Sequence, residues 1–261
     1  MSLPQRSSWQ IMCDSIHALM LREVKTRFGS NRLGYFWAIA EPFAQATIMA
    51  AMFTAIGRNS LSGVPVAMFL ISGILPFKMF SKLMPQLAAS VSANKGLLGY
   101  RQVEPIDPLI TRFIIEMVTF VIVYAITVSV LAWIGFEVMP ENFSALVLIT
   151  CLLSLLALGL GLLLCSATIY WEDTPKIVSI LMMPMFLISG IFFSATMIPS
   201  QYWFLFDWNP IFHVIELSRD AYFQSYTTPV GDWKYVCFVV LCCLAAGLMT
   251  FQINRLKFIT A

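Results

Sequence analysis

The chain has 261 residues, of which 59% are hydrophobic and only 11% are charged. Soluble domains carry about 25% charged residues, so a shortage of this size indicates a surface that mostly faces lipid. The formal net charge of +2 is too small to suggest a nucleic-acid partner. The composition therefore excludes an ordinary soluble domain and favours an all-α membrane protein.

The first predicted element is an amphipathic helix over residues 9–29. Its apolar residues recur at spacings of three and four and share one face, whereas Arg22, Lys25 and Arg27 project elsewhere. This pattern is typical of a helix that lies in the membrane interface and is attracted to anionic headgroups. Two interpretations stay open, a membrane anchor alone or also a docking element for a cytoplasmic partner.

Six apolar segments are long enough to cross a hydrocarbon core about 30 Å thick. Within one membrane domain (1–261), we predict spans over residues 36–57, 64–84, 113–136, 143–171, 177–198 and 235–253. The main acids in these spans, Glu41 and Glu116, are placed near the cytoplasmic boundary. Lys78 and Lys82 are expected to extend their ammonium groups to the same interface.

The distribution of Lys and Arg predicts the orientation. With both termini in the cytoplasm, thirteen of the sixteen basic residues lie on the cytoplasmic side. The loop over residues 94–108 is then cytoplasmic, and it exposes several apolar side chains. Either this loop contacts a partner, or it packs against the chain's own amphipathic helix.

Residues 199–233 are predicted to form the last outer connection, but they are too apolar for a simple loop and too short for two more spans. A pair of re-entrant half-helices, broken at Asn209 and Pro210, satisfies both constraints. Irregular backbone at membrane depth is tolerated where it is buried in protein or lines a cavity. Proline is also acceptable in the first turn of the second half-helix.

Side chains of this outer region each carry two interpretations. Glu216 and Arg219 are three residues apart and can pair, one turn after His213. Either these three residues satisfy one another's hydrogen-bonding groups inside the fold, or they form an outer gate. The aromatic candidates are Tyr202, Trp203 and Trp208. They either belong to an interfacial belt or stack on sugar rings.

No motif for nucleotide hydrolysis or other catalysis is present in the sequence. The chain contains no G-x-x-x-x-G-K-[ST] phosphate loop, no G-x-S-x-G and no H-E-x-x-H. We therefore predict no catalytic residue, no metal site and no cofactor bound by this chain. A chain suited to form a pathway, but without its own energy source, indicates that a separate energy-supplying partner docks on the cytoplasmic side.

Five stretches of the sequence resemble the permease subunit of type-2 ABC exporters. The resemblance is to the group that exports capsular polysaccharide across the inner membrane of Gram-negative bacteria. The stretches are LREVKTRFG (21–29), RLGYFWAIAEP (32–42), GYRQVEPID (99–107), IPSQYW (198–203) and WNPIFHVIELSR (208–219).

The resemblance implies a homodimer with its conduit between the two copies, and two separate ATPase subunits that bind ATP and Mg. It also implies a periplasmic adaptor, an outer-membrane translocon and an acidic lipid-linked polysaccharide as substrate. The interfacial helix and the second cytoplasmic loop would receive the ATPase motion, with bends at Gly29 and Gly34. The outer half-helices would be periplasmic gate helices.

The predicted coupling residues are Arg22, Lys25, Arg27, Phe28, Leu97, Leu98, Tyr100 and Arg101. The predicted conduit and gate residues are Tyr202, Trp203, Trp208, Asn209, Pro210, His213, Glu216 and Arg219. Two alternatives stay open at this point. The same architecture could export another polymer, such as O-antigen or teichoic acid, or the chain could be a scaffold or enzyme of capsule assembly.

Overall fold

The computed structural model describes residues 7–28, 34–100 and 102–260, which are predominantly helical. The helices are α1 (Ser8–Phe28), α2 (Gly34–Ala55), α3 (Val66–Ala88), α4 (Ile106–Ile134), α5 (Phe143–Ala167), α6 (Thr174–Ile188), α7 (Pro210–Tyr222) and α8 (Trp233–Thr260). Short 3₁₀ helices cover Ser92–Leu97, Ala195–Met197 and Ser200–Leu205. A small antiparallel hairpin, β1 (Ser60–Leu61) and β2 (Val64–Pro65), precedes α3 and was not predicted.

Within the part of the chain that the structure describes, four helices are long and apolar enough to cross a membrane. They are α3, α4, α5 and the Trp233–Phe258 part of α8. The apolar parts of α2 and α6 are shorter, Phe43–Ala55 and Thr174–Ile188. The all-α membrane class predicted from composition is thus confirmed, while the six predicted spans stay a prediction.

The core of the bundle is built around α3, and α5 packs tightly against α8. A Cβ atom added at Gly159 would lie 2.7 Å from the carbonyl carbon of Cys243, and one added at Gly161 would lie 2.5 Å from the side chain of Leu87. These glycines therefore allow the backbones of α5 and α8 to touch and leave room for α3 on the neighbouring side. Small residues at such crossings are typical of membrane helix pairs.

Two contacts between elements define the two ends of this bundle. At the α1 end, the Arg255 guanidinium on α8 lies 2.8 Å from the Glu104 carboxylate before α4. At the α7 end, the backbone N–H of Asn142 before α5 donates to the carbonyl of Ala221 on α7 at 2.9 Å. The helices α3, α4, α5 and α8 therefore each connect the two ends.

The fifth predicted span is shorter than expected, because α6 ends at Ile188 rather than near Ile198. Gly190 has a φ of +75°, a conformation that favours glycine, and a Cβ there would lie 2.7 Å from the Phe212 ring. After this turn the chain continues irregularly to the next 3₁₀ helices. The apolar run to Ile198 therefore contains a break that periodicity did not reveal.

The predicted re-entrant pair has one regular half. α7 begins at Pro210, as predicted, but the first half is only the six-residue 3₁₀ helix Ser200–Leu205. Most side chains of α7 are buried, whereas none in Ser200–Leu205 is. The two parts of the predicted pair therefore differ in kind, one enclosed by the bundle and the other on its surface.

Candidate functional site

The start of α7 is fixed by local sequence. The Asn209 side-chain oxygen accepts a hydrogen bond from the Ile211 backbone N–H at 3.0 Å, and Pro210 occupies the first helical position. The Asn209 amide also donates to the Ser189 hydroxyl at 3.2 Å. Asn209 therefore caps α7 and joins it to the end of α6.

Arg219 binds the turn that follows α6. Its guanidinium donates to the carbonyl oxygens of Gly190 at 2.7 Å, Ile191 at 3.0 Å and Phe193 at 3.1 Å. It also lies 3.7 Å from the centre of the Phe69 ring, a favourable cation–π geometry. The side chain is fully buried. Arg219 thus satisfies carbonyl groups that the broken helix leaves without partners.

The carboxylate of Glu216 lies beside this arginine and is also fully buried, with 3.4 Å between Oε1 and the Arg219 Nη1. The Tyr226 hydroxyl donates to Oε2, and the Thr228 hydroxyl donates to the same atom at 3.1 Å. Burial, together with the Glu216 charge, raises the pKa of Tyr226 above its usual range, so the phenol keeps its proton at neutral pH. We call Glu216, Arg219, Tyr226 and Thr228 the α7 network.

His213 links α7 to the segments before and after it. Its Nε2 lies 2.8 Å from the Asp207 carbonyl oxygen, and its Nδ1 accepts from the Asp232 backbone N–H at 3.2 Å. This pattern fits the neutral tautomer with its proton on Nε2. The Tyr235 ring packs against the imidazole at an interplanar angle of 45°, with centroids 4.7 Å apart. Both ring nitrogens are therefore engaged inside the protein.

The aromatic candidates are more exposed than these polar residues. Tyr202 and Trp208 are exposed, while Trp203 is half-buried. The Trp203 indole N–H is shared between the carbonyls of Ala195 and Ile198, at 3.2 and 3.0 Å. Tyr202 and Trp208 thus offer ring faces to the surroundings, whereas Trp203 holds the irregular segment together.

The predicted coupling elements meet at the α1 end. The Arg22 guanidinium donates to the side-chain oxygen of Asn94 in the 3₁₀ helix Ser92–Leu97. The Arg112 guanidinium on α4 lies 3.0 Å from the Glu23 carboxylate and donates to the Gln86 carbonyl at 2.8 Å. Charged contacts therefore join α1 to both the second loop and the body of the bundle.

The second loop contacts α1 through Arg22 and Asn94, one of the two alternatives for this loop, while contact with a partner stays a prediction. Leu98 is buried and Leu97 is half-buried, while Tyr100 is 65% exposed. A cleft of about 530 Å³ separates α1 from the loop, with Leu19, Arg22, Leu97 and Tyr100 among its lining residues. The loop thus packs partly on α1 and keeps Tyr100 on the outer surface.

For the remaining predicted coupling residues, the structure gives no contact that bears on their role. Lys25 is exposed on α1. Arg101 and Gly29 lie outside the described residues, as do the side chains of Arg27 and Phe28. Their assignment to ATPase coupling stays a prediction.

Several members of these contacts were not singled out from the sequence. Tyr226 and Thr228 lie ten and twelve residues after Glu216, their hydrogen-bond partner. Asn94 lies 72 residues after Arg22. Helical spacing identified the Glu216–Arg219 pair, but it carries no signal for partners beyond the helix.

Comparison with known proteins agrees with this architecture. The family model for ABC-2 type transporters matches residues 14–223, from α1 to the residue after α7. The chain is 35% identical to the polysialic acid transport protein KpsM of Escherichia coli, over 98% of this chain and 99% of the relative.

Two further relatives are more distant. The capsule polysaccharide export inner-membrane protein CtrC of Neisseria meningitidis serogroup A is 29% identical, over 90% of this chain and 87% of the relative. The O-antigen export system permease protein RfbA of Klebsiella pneumoniae is 24% identical, over 99% and 98%. The extent of the family match and the full-length similarity to KpsM show that this chain belongs to the ABC-2 type transporter family.

Proposed function

We propose that this chain is the membrane-spanning subunit of an exporter that moves capsular polysaccharide across the bacterial inner membrane. The observation that carries the proposal is the 35% identity to a polysialic acid transport protein over nearly the whole of both chains. An O-antigen permease is also similar, but at 24% identity. Capsular polymer is therefore the favoured substrate, and O-antigen is the second candidate.

The chain acts as a transport subunit, and ATP with Mg is bound and hydrolysed by two separate ATPase subunits. The absence of a phosphate loop in the sequence supports this division of labour. The exposed Tyr100 and the cleft beside it support the α1 end as the ATPase-facing surface. A second copy of the chain, a periplasmic adaptor and an outer-membrane translocon complete the proposed export path.

Both termini lie in the cytoplasm, and α2 and α6 complete six crossings. α2 leads from α1 to the hairpin, where the Ser62 hydroxyl lies 2.8 Å from that of Ser194 beyond α6. α6 leads from Tyr170, whose hydroxyl contacts Asn254 near the end of α8, to the turn bound by Arg219. α2 and α6 thus each link the two ends of the bundle, which supports a membrane crossing by each, completed after the 15-residue α6 by non-helical residues.

The α7 region forms the outer boundary of the path. The network around Glu216 and Arg219 holds this region in place, and the exposed rings of Tyr202 and Trp208 are the residues suited to contact sugar. Most of the predicted gate residues therefore support the gate, and these two aromatic side chains are the substrate-contact candidates.

The proposal is tested in a capsulated host by deleting the gene and restoring it on a plasmid. We expect loss of surface capsule with polymer accumulating inside the cell, and copurification of the restored chain with a Walker-motif ATPase. Intracellular accumulation of O-antigen instead would favour the second candidate. Export by vesicles that contain this chain but no ATPase would contradict the division of labour.

A further inference from the structure

A charged cleft lies between α2, α3 and α4, away from the α7 network. Two lysines from α3 face it, and each is paired with an acid from a different helix. The Lys78 Nζ lies 2.6 Å from the Glu41 carboxylate on α2, and the Lys82 Nζ lies 3.9 Å from the Glu116 carboxylate on α4. The cleft has a volume of about 300 Å³. At ~30 Å³ per liquid water molecule, this is room for about ten waters, or for a phosphoglycerol group.

These charges lie well inside the helices rather than at their tips. At about 1.5 Å per residue, Lys78 and Lys82 precede the end of α3 by about 15 and 9 Å, and Glu116 follows the start of α4 by about 15 Å. Ionisable groups at such positions are costly in lipid and usually serve a function. In the proposed orientation, they occupy the cytoplasmic half of the bundle.

The cleft is amphipathic along the bundle axis. Its charged residues lie toward the α1 end, and Leu75, Phe120 and Val123 extend from them toward the α7 end. Met79 lines the cleft at the level of the two lysines. A ligand with an anionic head on the cytoplasmic side and an apolar part directed toward the membrane centre matches this order.

The two ion pairs differ in how readily a ligand could enter them. Glu41 is 67% exposed in its side chain, so it can rotate away from Lys78 at little cost. Lys82 is 51% exposed, and at 3.9 Å its contact with Glu116 is an ion pair without a hydrogen bond. Glu116 is only 4% exposed, so it holds Lys82 at the cleft. Both ammonium groups can therefore donate to one incoming anion.

We propose that this cleft binds the phosphate-bearing headgroup of an anionic lipid between Lys78 and Lys82, and that the phosphate competes with Glu41. A phosphate oxygen accepts charge-assisted hydrogen bonds from both ammonium groups. The lipid thereby weakens the tie between α2 and α3 that the Glu41–Lys78 pair provides. The site does not depend on which polymer is exported.

The test measures binding of phosphatidylglycerol to the purified full chain in neutral detergent by native mass spectrometry. We expect Lys78→Gln combined with Lys82→Gln to weaken binding about 30-fold, from the usual contribution of two basic residues at an anionic lipid surface. The matched control, Lys95→Gln combined with Lys176→Gln, removes two exposed lysines outside the cleft and should change binding less than twofold. Equal affinities of the wild type and the cleft variant would overturn the proposal.

Two further variants separate binding from folding. Lys78→Arg combined with Lys82→Arg keeps both charges and should keep phosphatidylglycerol binding and the unfolding temperature. Glu41→Gln removes the competing carboxylate and should tighten binding about threefold, while unchanged or weaker binding would contradict the competition.

Phosphatidylcholine, whose headgroup carries a balancing cation, should bind more weakly to the wild type, and equal affinity for the two lipids would also count against the site.

The phosphate could belong to a bulk phospholipid or to the lipid anchor of the exported polymer. Lipid-linked polysaccharide isolated from capsulated cells serves as a competitor in the same assay. Displacement of phosphatidylglycerol assigns the cleft to the polymer's anchor, and retention assigns it to bulk lipid. Loss of capsule export with normal lipid binding would affect the proposed function and leave this inference standing.

Discussion

The two ends of the bundle expose charge to different extents. At the α7 end, the side chains of Glu216 and Arg219 are fully buried and hydrogen-bond to Tyr226, Thr228 and three backbone carbonyls. At the α1 end, Glu104 and Arg255 are about half exposed in their side chains, whereas Glu23 and Arg112 are mostly buried. A buried pair strongly destabilises the fold when one partner is removed, whereas an exposed pair contributes little.

The difference indicates that the α7 end is a fixed support, whereas part of the charge at the α1 end is accessible to a partner. The charged contacts of α1 border open clefts of about 530 and 480 Å³, which a partner can enter without disrupting the core. The predictions that follow compare these two ends through the free energy of unfolding, measured on the purified chain in detergent.

The largest effect is expected for Glu216→Ala. It leaves the Arg219 charge buried without its carboxylate and should cost about 3–5 kcal/mol. The measurement is the unfolding midpoint in denaturant. Lys234→Ala, which removes an exposed charge at the same end, is the control and should stay close to wild type. If Glu216→Ala unfolds like wild type but blocks export, the residue acts as a gate and not as a support.

The next effect is expected for Trp203→Ala. This change removes a half-buried ring and the indole N–H that binds two carbonyls, and it should cost about 2–3 kcal/mol, less than a fully buried tryptophan. Trp133→Ala is the matched control, since Trp133 is 87% exposed. Equal unfolding midpoints for the two variants would place Trp203 in the interfacial belt.

Tyr226→Phe should have a smaller effect. It removes one hydroxyl that donates to the buried Glu216 and should cost about 1–2 kcal/mol. Because the ring is kept, the loss isolates the hydrogen bond from packing. Tyr202→Phe, at an exposed tyrosine of the same end, is the control. A Tyr226→Phe variant as stable as wild type would show that the network does not depend on this bond.

The smallest effect on stability is expected at the α1 end. Tyr100→Ala removes an exposed ring and should change the free energy of unfolding by less than about 0.5 kcal/mol. We nevertheless expect reduced capsule export, because this side chain is available to the ATPase. A cysteine at position 100 should form a cross-link to the ATPase, and failure at positions 97 and 100 together would remove the docking assignment.

Local sequence patterns predicted some helix starts and ion pairs, but they missed a helix end and a hairpin. The Asn209–Pro210 start of α7 follows from proline's place in a first helical turn, the Glu216–Arg219 pair follows from i,i+3 spacing, and the structure contains both. The end of α6 at Ile188 was missed, because the apolar run continues past it and Ser189–Gly190 is a weak signal inside such a run. The hairpin at residues 60–65 was too short to carry a pattern.

The sequence alone determined that this is an α-helical membrane protein that begins with a helix, since composition and periodicity report how each segment meets lipid or water. Only the tertiary structure decided that Arg219 binds the turn after α6 and that Lys78 and Lys82 share a cleft with Glu41 and Glu116. Those roles depend on contacts between residues far apart in the chain. A side chain's spacing along its own helix cannot specify the partner that another helix brings to it.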